Sequence, residues 1–190
     1  MRWDWRPVMW AVAIVTMLGG AIVAITQTDI KRLLAYSSIA HAGFILAGVI
    51  ATSKDGVSSV LFYLAAYSFV TIGAFAVVTL VRDAGGEATH LSKWAGLGRR
   101  SPLVAAVFAV FLLAFAGIPL TSGFVGKFAV FSAAASGHAA YLVIVGVISS
   151  AIAVFFYIRV IVQMFFTDPP DAPPAVVTAP VTTMVVIVTG

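Results

Sequence analysis

The sequence contains no cysteine and only seven acidic residues among its 190. Without cysteine the chain can form no disulfide, no thiolate metal site and no cysteine-ligated iron–sulfur cluster. Its three histidines are too scattered along the chain to form a metal site together. We therefore expect no cofactor in this chain, and any redox chemistry would have to occur in another chain.

Charged residues of either sign are also scarce. They make up 9% of the chain, hydrophobic residues make up 62%, and the mean hydropathy is +1.09. In soluble domains about a quarter of the residues are charged. The composition therefore predicts an all-α polytopic membrane protein surrounded by the lipid bilayer. The net charge of +4 does not indicate nucleic-acid binding, because most basic residues lie between apolar stretches, where membrane topology explains them.

Apolar stretches predict five transmembrane helices and the start of a sixth, given that a crossing needs roughly 20 residues. The predicted spans are residues 8–26, 33–51, 57–81, 102–135 and 139–166, followed by the shorter stretch 175–190. Residues 1–166 would form a five-helix unit, the proline-rich segment 167–174 a stiff connector, and 175–190 a truncated final helix. We therefore expect the chain to be part of a longer protein.

Basic residues are distributed unevenly between the two ends of these spans. Six lie in the loops after the first and third spans, against three at the other end. The positive-inside rule places the larger group on the cytoplasmic side. This group consists of Lys31, Arg32, Arg82, Lys93, Arg99 and Arg100.

The fourth span is too long for one straight helix. Residues 102–135 would extend about 50 Å, whereas the hydrocarbon core is roughly 30 Å thick. Pro119 lacks a backbone N–H and Gly117 and Gly123 add flexibility, so we predict a break between the two glycines. Lys127 follows this break near the predicted bilayer centre, where an ionisable residue usually marks an ion or proton path. The alternative is a static pair with a carboxylate, although no acidic residue of the chain lies within a predicted span.

His41 lies near the middle of the second span, one turn after Ser37 and Ser38. Because histidine titrates near neutral pH it could relay protons, and the two serines could hydrogen-bond it. A purely structural histidine held by these hydroxyls is the alternative.

Two further sets of polar residues occur within the spans. In the third span, polar side chains recur every four residues and predict a stripe that either holds water or bonds neighbouring helices. In the fifth span, Arg159 would either anchor the helix near the membrane surface or pair with a carboxylate elsewhere. The first set is Ser59, Tyr63, Tyr67 and Thr71, and the second is Ser149, Ser150, Tyr157, Arg159 and Gln163.

Two motifs resemble those of a known protein family. They are QTDIKRLLAYSSIAHAG at residues 27–43 and LAFAGIPLTSGFVGKF at residues 113–128. Both are similar to the antiporter-like membrane subunits of proton-pumping NADH-quinone oxidoreductase, respiratory complex I. Within that family, Tyr63-Leu-Ala-Ala-Tyr67 followed by Gly73-Ala-Phe is most similar to bacterial subunit N.

The resemblance implies a fourteen-helix fold with two inverted five-helix repeats, of which this chain would be the second. It implies a proton-translocating subunit of the bacterial inner (plasma) membrane, with Lys127 as the proton-carrying residue. Tyr63, Tyr67 and Thr71 match positions that face the hydrated path. NADH, FMN, iron–sulfur clusters and quinone would be bound by partner subunits of the complex. Two other interpretations stay open, a subunit of a multisubunit cation/proton antiporter and a structural membrane scaffold.

Overall fold

The computed structural model describes residues 2–171, 173–177 and 180–189. The predicted segments also include residues 1, 172, 178, 179 and 190, which lie outside the described part. Most residues of that part are helical, and three short strands are also present. The helices are α1 Arg2–Ile25, α2 Ile30–Ile50, α3 Lys54–Leu80, α4 Leu97–Arg100, α5 Pro102–Ala116, α6 Ser122–Ser136, α7 Ala140–Phe166 and α8 Pro180–Thr189, with a 3₁₀ turn at Leu91–Trp94.

Among the described residues, four helices are long and apolar enough to cross a membrane, namely α1 from Trp5 onward, α2, α3 and α7. Helices α5 and α6 have 15 residues each and would extend only about 22 Å apiece, less than the hydrocarbon core. They follow one another across the bundle, separated by residues 117–121, and together form a fifth, broken crossing. The prediction of an all-α polytopic membrane protein with an interrupted helix is confirmed.

The loops lie at two opposite ends of the bundle. At one end, Lys31 at the start of α2 forms a salt bridge with Glu87, which lies beyond the end of α3. This end, which we call the basic end, carries the six basic residues that the sequence places together. At the opposite end, Arg6 donates a hydrogen bond from Nη2 to the carbonyl of Gly137, between α6 and α7, at 2.5 Å.

Asp29 caps the first turn of α2 at the basic end. Its carboxylate accepts a hydrogen bond from the backbone N–H of Arg32 at 3.0 Å, which satisfies one of the amides that a helix start leaves free. Asp29 also pairs with His90 in an isolated antiparallel β-bridge. Partial burial alone would raise the pKa of the Asp29 carboxyl, but hydrogen bonds from the Thr89 side chain and the Arg32 amide hold it below its usual value of 3.8.

A small antiparallel sheet at the basic end was not expected from the sequence. Strands β1 Val81–Asp83, β2 Gly86–Glu87 and β3 Ala175–Val176 pair in the order β2-β1-β3. The prediction that a helix begins at residue 175 is therefore wrong, because Val176 pairs with Val81 instead. Helix α8 begins at Pro180, since proline fits the first turn of a helix, where its missing N–H needs no partner.

The buried side chains form two clusters, one above the other along the bundle. The cluster nearer the basic end contains Trp94, Phe108 and Phe156, and the other contains Met17 and Phe44. Tyrosine and phenylalanine side chains from α3, α5 and α7 lie where the two clusters meet. The broken helix passes through this boundary. The last turn of α5 and Lys127 are buried there, whereas Pro119, Leu120 and Ser122 at the break are exposed.

Candidate functional site

Lys127 lies on α6, in the second turn after the break. Lys127 is only 5% exposed, and its Nζ donates hydrogen bonds to the carbonyls of Phe115 at 2.8 Å and Ala116 at 3.0 Å. A third bond goes to Ser150 Oγ on α7 at 3.0 Å. The Phe44 ring lies on a further side, with its centroid 5.2 Å from Nζ. The three hydrogens of an ammonium group therefore have three acceptors in a site closed by apolar side chains.

The end of α5 explains why two carbonyls point at this lysine. Gly117 adopts a left-handed conformation with φ of 76°, and the N–H groups of Gly117 and Ile118 bond back to the carbonyls of Ala114 and Leu113. This is a Schellman ending, which satisfies the carbonyls one turn back but leaves the last two without backbone donors. Those two belong to Phe115 and Ala116, and Lys127 supplies their hydrogen bonds.

No carboxylate takes part in this arrangement. Within the described residues the salt bridges are Lys31–Glu87 and Arg99–Asp168, both at the basic end. The alternative interpretation of Lys127 as one half of a static ion pair therefore has no partner among those residues. Among the described residues, the hydrogen bonds of the ammonium go to backbone and hydroxyl oxygens.

His41 lies in a buried cluster of aromatic side chains. Its residue is 2% exposed, its Nδ1 is 2.6 Å from the hydroxyl of Tyr63, and its Nε2 is 3.4 Å from that of Tyr157. The Tyr67 ring stacks on the imidazole with centroids 4.7 Å apart. Three helices, α2, α3 and α7, thus meet at one histidine.

The expectation that Ser37 and Ser38 bond His41 is wrong, because tyrosines from other helices occupy both ring nitrogens. Ser37 Oγ instead forms a hydrogen bond with the Tyr157 hydroxyl. Ser38 Oγ donates to the carbonyl of Leu34 at 2.9 Å and accepts from the Tyr67 hydroxyl at 2.7 Å. The serines therefore hold the tyrosines that surround the histidine.

The predicted polar stripe of α3 separates into parts with different surroundings. Tyr63 and Tyr67 face His41, whereas the Ser59 hydroxyl donates to the carbonyl of Gly56 in its own helix at 2.9 Å. The Thr71 hydroxyl is buried and, within the described residues, has no hydrogen-bond partner. The structure thus brings two of the four residues to the histidine.

A small cavity lies beside the imidazole. It offers about 10 Å³ to the centres of water molecules, close to the volume that one ordered water requires. The cavity borders the start of α6, the helix that carries Lys127. Its polar and aromatic lining includes His41, Tyr63, Tyr67, Phe115 and Ser122.

Phe115 connects the lysine to the histidine cluster. Its carbonyl accepts from Lys127, and the centroid of its ring lies 5.6 Å from that of His41 and 5.8 Å from that of Tyr157. The sequence alone indicates no role for Phe115, and it indicates Ser150 only as one of the polar residues of the fifth span. The sequence does place the two α7 residues that bond Lys127 and His41 on one face of that helix, because Ser150 and Tyr157 are two turns apart.

Arg159 anchors α7 by binding backbone and not a carboxylate. Its Nη1 donates to the carbonyl of Ile25 at 2.8 Å and its Nη2 to that of Gln27 at 2.7 Å, at the end of α1. The neighbouring Ser149 donates to the carbonyl of Met17 at 2.7 Å. Of the two interpretations of Arg159, the structure therefore supports the anchor.

The sequence profile of a family of transmembrane proteins, described as NADH:quinone oxidoreductase/Mrp antiporter, matches residues 1–153. The chain belongs to this family. Subunit N 3 of the NADH-quinone oxidoreductase of Streptomyces griseus is 88% identical to it over 153 residues, and subunit N of Rhodococcus opacus is 72% identical over 153 residues. Each match covers 80% of this chain and 28% of the relative, so the chain spans less than a third of the length of these curated relatives.

Solved structures show the same fold in this family. A chain of respiratory complex I from Thermus thermophilus with bound aureothin superposes with a TM-score of 0.84 at 29% identity, covering 96% of this chain and 41% of that one. A chain of the Mrp complex from Dietzia sp. superposes with a TM-score of 0.81 at 27% identity, covering 89% of this chain and 32% of that one. The resemblance drawn from the motifs is confirmed, as is the location in the bacterial cell membrane.

Proposed function

We propose that this chain is part of a proton-translocating membrane subunit of an NADH-quinone oxidoreductase, and that Lys127 takes up and releases the proton. NADH, FMN, iron–sulfur clusters and quinone would be bound by other subunits, which carry out the electron transfer. The chain itself would contribute a proton site in the membrane and would bind the other membrane subunits and lipid. Nucleic acid has no place in this function.

The observation that carries the proposal is the buried Lys127 ammonium held by three uncharged acceptors. A carboxylate at that distance would fix the positive charge, because removing one member of a buried ion pair costs about 3–5 kcal/mol. Here the release of a proton leaves no unpaired negative charge among the described residues. Such a lysine is suited to change its protonation state within the membrane, as a proton carrier must.

The proton path that we propose runs through the cluster around His41. The imidazole and the hydroxyls of Tyr63 and Tyr67 can each donate and accept, and the cavity beside them has room for one water. Thr71, one turn from Tyr67, adds a buried hydroxyl without a partner in the described part. The path would therefore approach the break in the helix from the α3 side.

A cation/proton antiporter subunit is the second candidate, because the fold is shared with a chain of the Mrp complex. The names of the relatives favour the oxidoreductase, since relatives with 63%, 72% and 88% identity are each subunit N of an NADH-quinone oxidoreductase. The two candidates differ in what drives transport. Proton uptake that requires a sodium or potassium gradient and is indifferent to NADH would favour the antiporter.

The test of the proposal uses the full-length subunit assembled in its complex and reconstituted into vesicles. Lys127→Ala and Lys127→Arg are compared with Lys54→Ala, which removes an exposed lysine at the opposite end of the bundle. Proton uptake is followed with a pH-sensitive dye while NADH oxidation is recorded in the same sample. Assembly of each variant complex is checked by native electrophoresis.

We expect both Lys127 variants to lose most proton uptake per NADH oxidised, while Lys54→Ala retains it. Arginine keeps the charge but cannot release a proton in a protein, so it should fail as alanine does. Normal uptake with arginine would show that only a fixed charge is needed. Normal uptake with alanine would leave the structural scaffold as the better account.

A further inference from the structure

The three acceptors around Lys127 differ in what they can do. The carbonyl oxygens of Phe115 and Ala116 can only accept hydrogen bonds, whereas the Ser150 hydroxyl can accept one and donate one. In the described part of the chain, Ser150 Oγ makes no hydrogen bond other than the one from Lys127. Its own hydrogen is therefore not committed to another side chain or to the backbone of α7.

The site fits the ammonium form of Lys127 and, without a change, does not fit the neutral amine. An ammonium group has three hydrogens for the three acceptors, but a neutral amine has two hydrogens and a lone pair. If all three partners continued to accept, the lone pair would face an oxygen atom in a buried site, where an unmade hydrogen bond is costly. One of the three partners must therefore change from acceptor to donor.

We propose that Ser150 is that partner, and that its hydroxyl reverses direction each time Lys127 loses or gains a proton. The ammonium donates to Ser150 Oγ, and after the proton has passed to a water molecule, giving hydronium, the Ser150 O–H donates to the nitrogen lone pair. No bond of the serine breaks in this step, since its hydroxyl only rotates. The two carbonyls keep their hydrogen bonds in both states, so the nitrogen stays in place.

Other ionisable side chains near α6 do not offer the same reversal. On the Lys127 side of α6 they are His41 on α2, Tyr63 and Tyr67 on α3, and Tyr157 on α7, and α5 contributes none. Asp55 of α3 also faces α6, but in a groove beside Phe128, Ser132 and Ser136. None of them forms a hydrogen bond with Lys127 within the described residues, and His41 is already bonded to the two tyrosine hydroxyls. Ser150 is thus a positioning residue for the proton carrier, and this inference rests on the proposed function.

The test compares Ser150→Thr with Ser150→Val in the full-length subunit within its reconstituted complex. Threonine and valine have nearly the same shape, so the pair isolates the hydroxyl from the effect of added volume. Ser149→Ala serves as the control, because it removes a neighbouring hydroxyl that donates to the Met17 carbonyl and, within the described residues, does not bond Lys127. Proton uptake per NADH oxidised is measured from pH 6 to pH 9, and assembly is checked for each complex.

We expect the threonine variant to pump as the wild type does. The valine variant should pump at least about tenfold more slowly, because a hydrogen bond to a charged group changes an equilibrium by roughly 10- to 100-fold. The pH midpoint of pumping should also move in the valine variant alone, because the ammonium loses a stronger hydrogen bond than the amine does. If Ser150 had only a structural role, replacing it with valine would lower the thermal stability of the complex without moving this pH midpoint.

The inference is overturned if the threonine and valine variants pump equally and share one pH profile. That result would not affect the proposed function, provided that Lys127→Ala still abolishes pumping. Conversely, normal pumping by Lys127→Ala removes the proposed function and the role of Ser150 together. If the valine variant fails to assemble while threonine succeeds, Ser150→Ala supplies the comparison at smaller volume, with the same shift of the pH midpoint expected.

Discussion

The substitution Gly117→Ala tests whether the ending of α5 places Lys127 correctly. A Cβ atom at this position would lie 2.9 Å from Lys127 Cδ, 3.1 Å from its Nζ and 3.4 Å from its Cε. The new methyl group would therefore push on the lysine side chain along half its length. In addition, φ at Gly117 is 76°, a conformation that costs a residue with a side chain about 1–2 kcal/mol.

The magnitude follows from the hydrogen bonds of the lysine. The distances from Nζ to its acceptors are 2.8 to 3.0 Å, so a displacement of a few tenths of an ångström weakens at least one of them. A bond to a charged group contributes about 1.5–3 kcal/mol, and 1.4 kcal/mol corresponds to a factor of ten. We expect proton pumping by the assembled complex to fall at least about tenfold.

Two control substitutions separate this effect from the general effects of replacing glycine. Gly86 has a positive φ of 120°, and a Cβ atom added there would have no neighbour within 4 Å, so Gly86→Ala reproduces backbone strain without touching the lysine. Gly19→Ala, within α1 and likewise free of close atoms, reproduces neither effect. Both controls should pump normally.

A third variant, at Gly117 itself, separates backbone strain from the contact of the new Cβ atom with Lys127. Asparagine tolerates the left-handed conformation better than alanine does, but its Cβ would meet Lys127 in the same place. We therefore expect Gly117→Asn to impair pumping as alanine does. Pumping within twofold of the wild type in the assembled Gly117→Ala complex would refute the claim that this glycine makes room for the lysine.

Two further predictions concern the stability of the bundle. Tyr157→Phe removes the hydroxyl that bonds Ser37 and His41 and leaves buried polar atoms unpaired. It should therefore destabilise the protein by about 1–3 kcal/mol and lower its Tm. Tyr141→Phe, at an exposed tyrosine, should leave Tm unchanged. Asp29→Ala removes a helix cap and should cost about 1 kcal/mol at neutral pH, while Asp29→Asn, which still caps, should not. Because the pKa of Asp29 is lower in the folded protein, the part of its stabilisation that depends on the charge is present above pH 3.8 and is lost as the pH falls through the folded-state pKa. The difference in Tm between wild type and the alanine variant should therefore narrow in acid.

Features that depend on local sequence and on length could be predicted from the chain alone. The break between α5 and α6 follows from a span that is too long for the bilayer, with Gly117 and Pro119 near its middle. The same count predicts the depth of Lys127 in the bilayer, whereas its burial against α5 and α7 depends on how the helices pack. The strands were missed because segments of two or three residues carry no measurable hydrophobic periodicity.

The partners of His41 could not be predicted, because they depend on how the helices pack. Serines one turn away in the same helix were the only neighbours that a single sequence could propose. Tyr63 and Tyr157 reach the imidazole from α3 and α7, and nothing in the spacing of one helix indicates the rotation of the next. For the same reason, the motif around Lys127 indicated a proton site without indicating which atoms hold its nitrogen.

Phe115 belongs to two assemblies at once, because its peptide group binds the lysine while its ring lies against the imidazole and a tyrosine. The carbonyl and the ring belong to one residue, and burial of the ring restricts rotation about the two single bonds between them. A tilt of the Phe115 peptide would therefore change the contacts of its ring with His41 and Tyr157 unless the side chain also changed its rotamer. The last turn of α5 thus contacts both the Lys127 amine and the His41 cluster, which exchange no hydrogen bond in the described part of the chain.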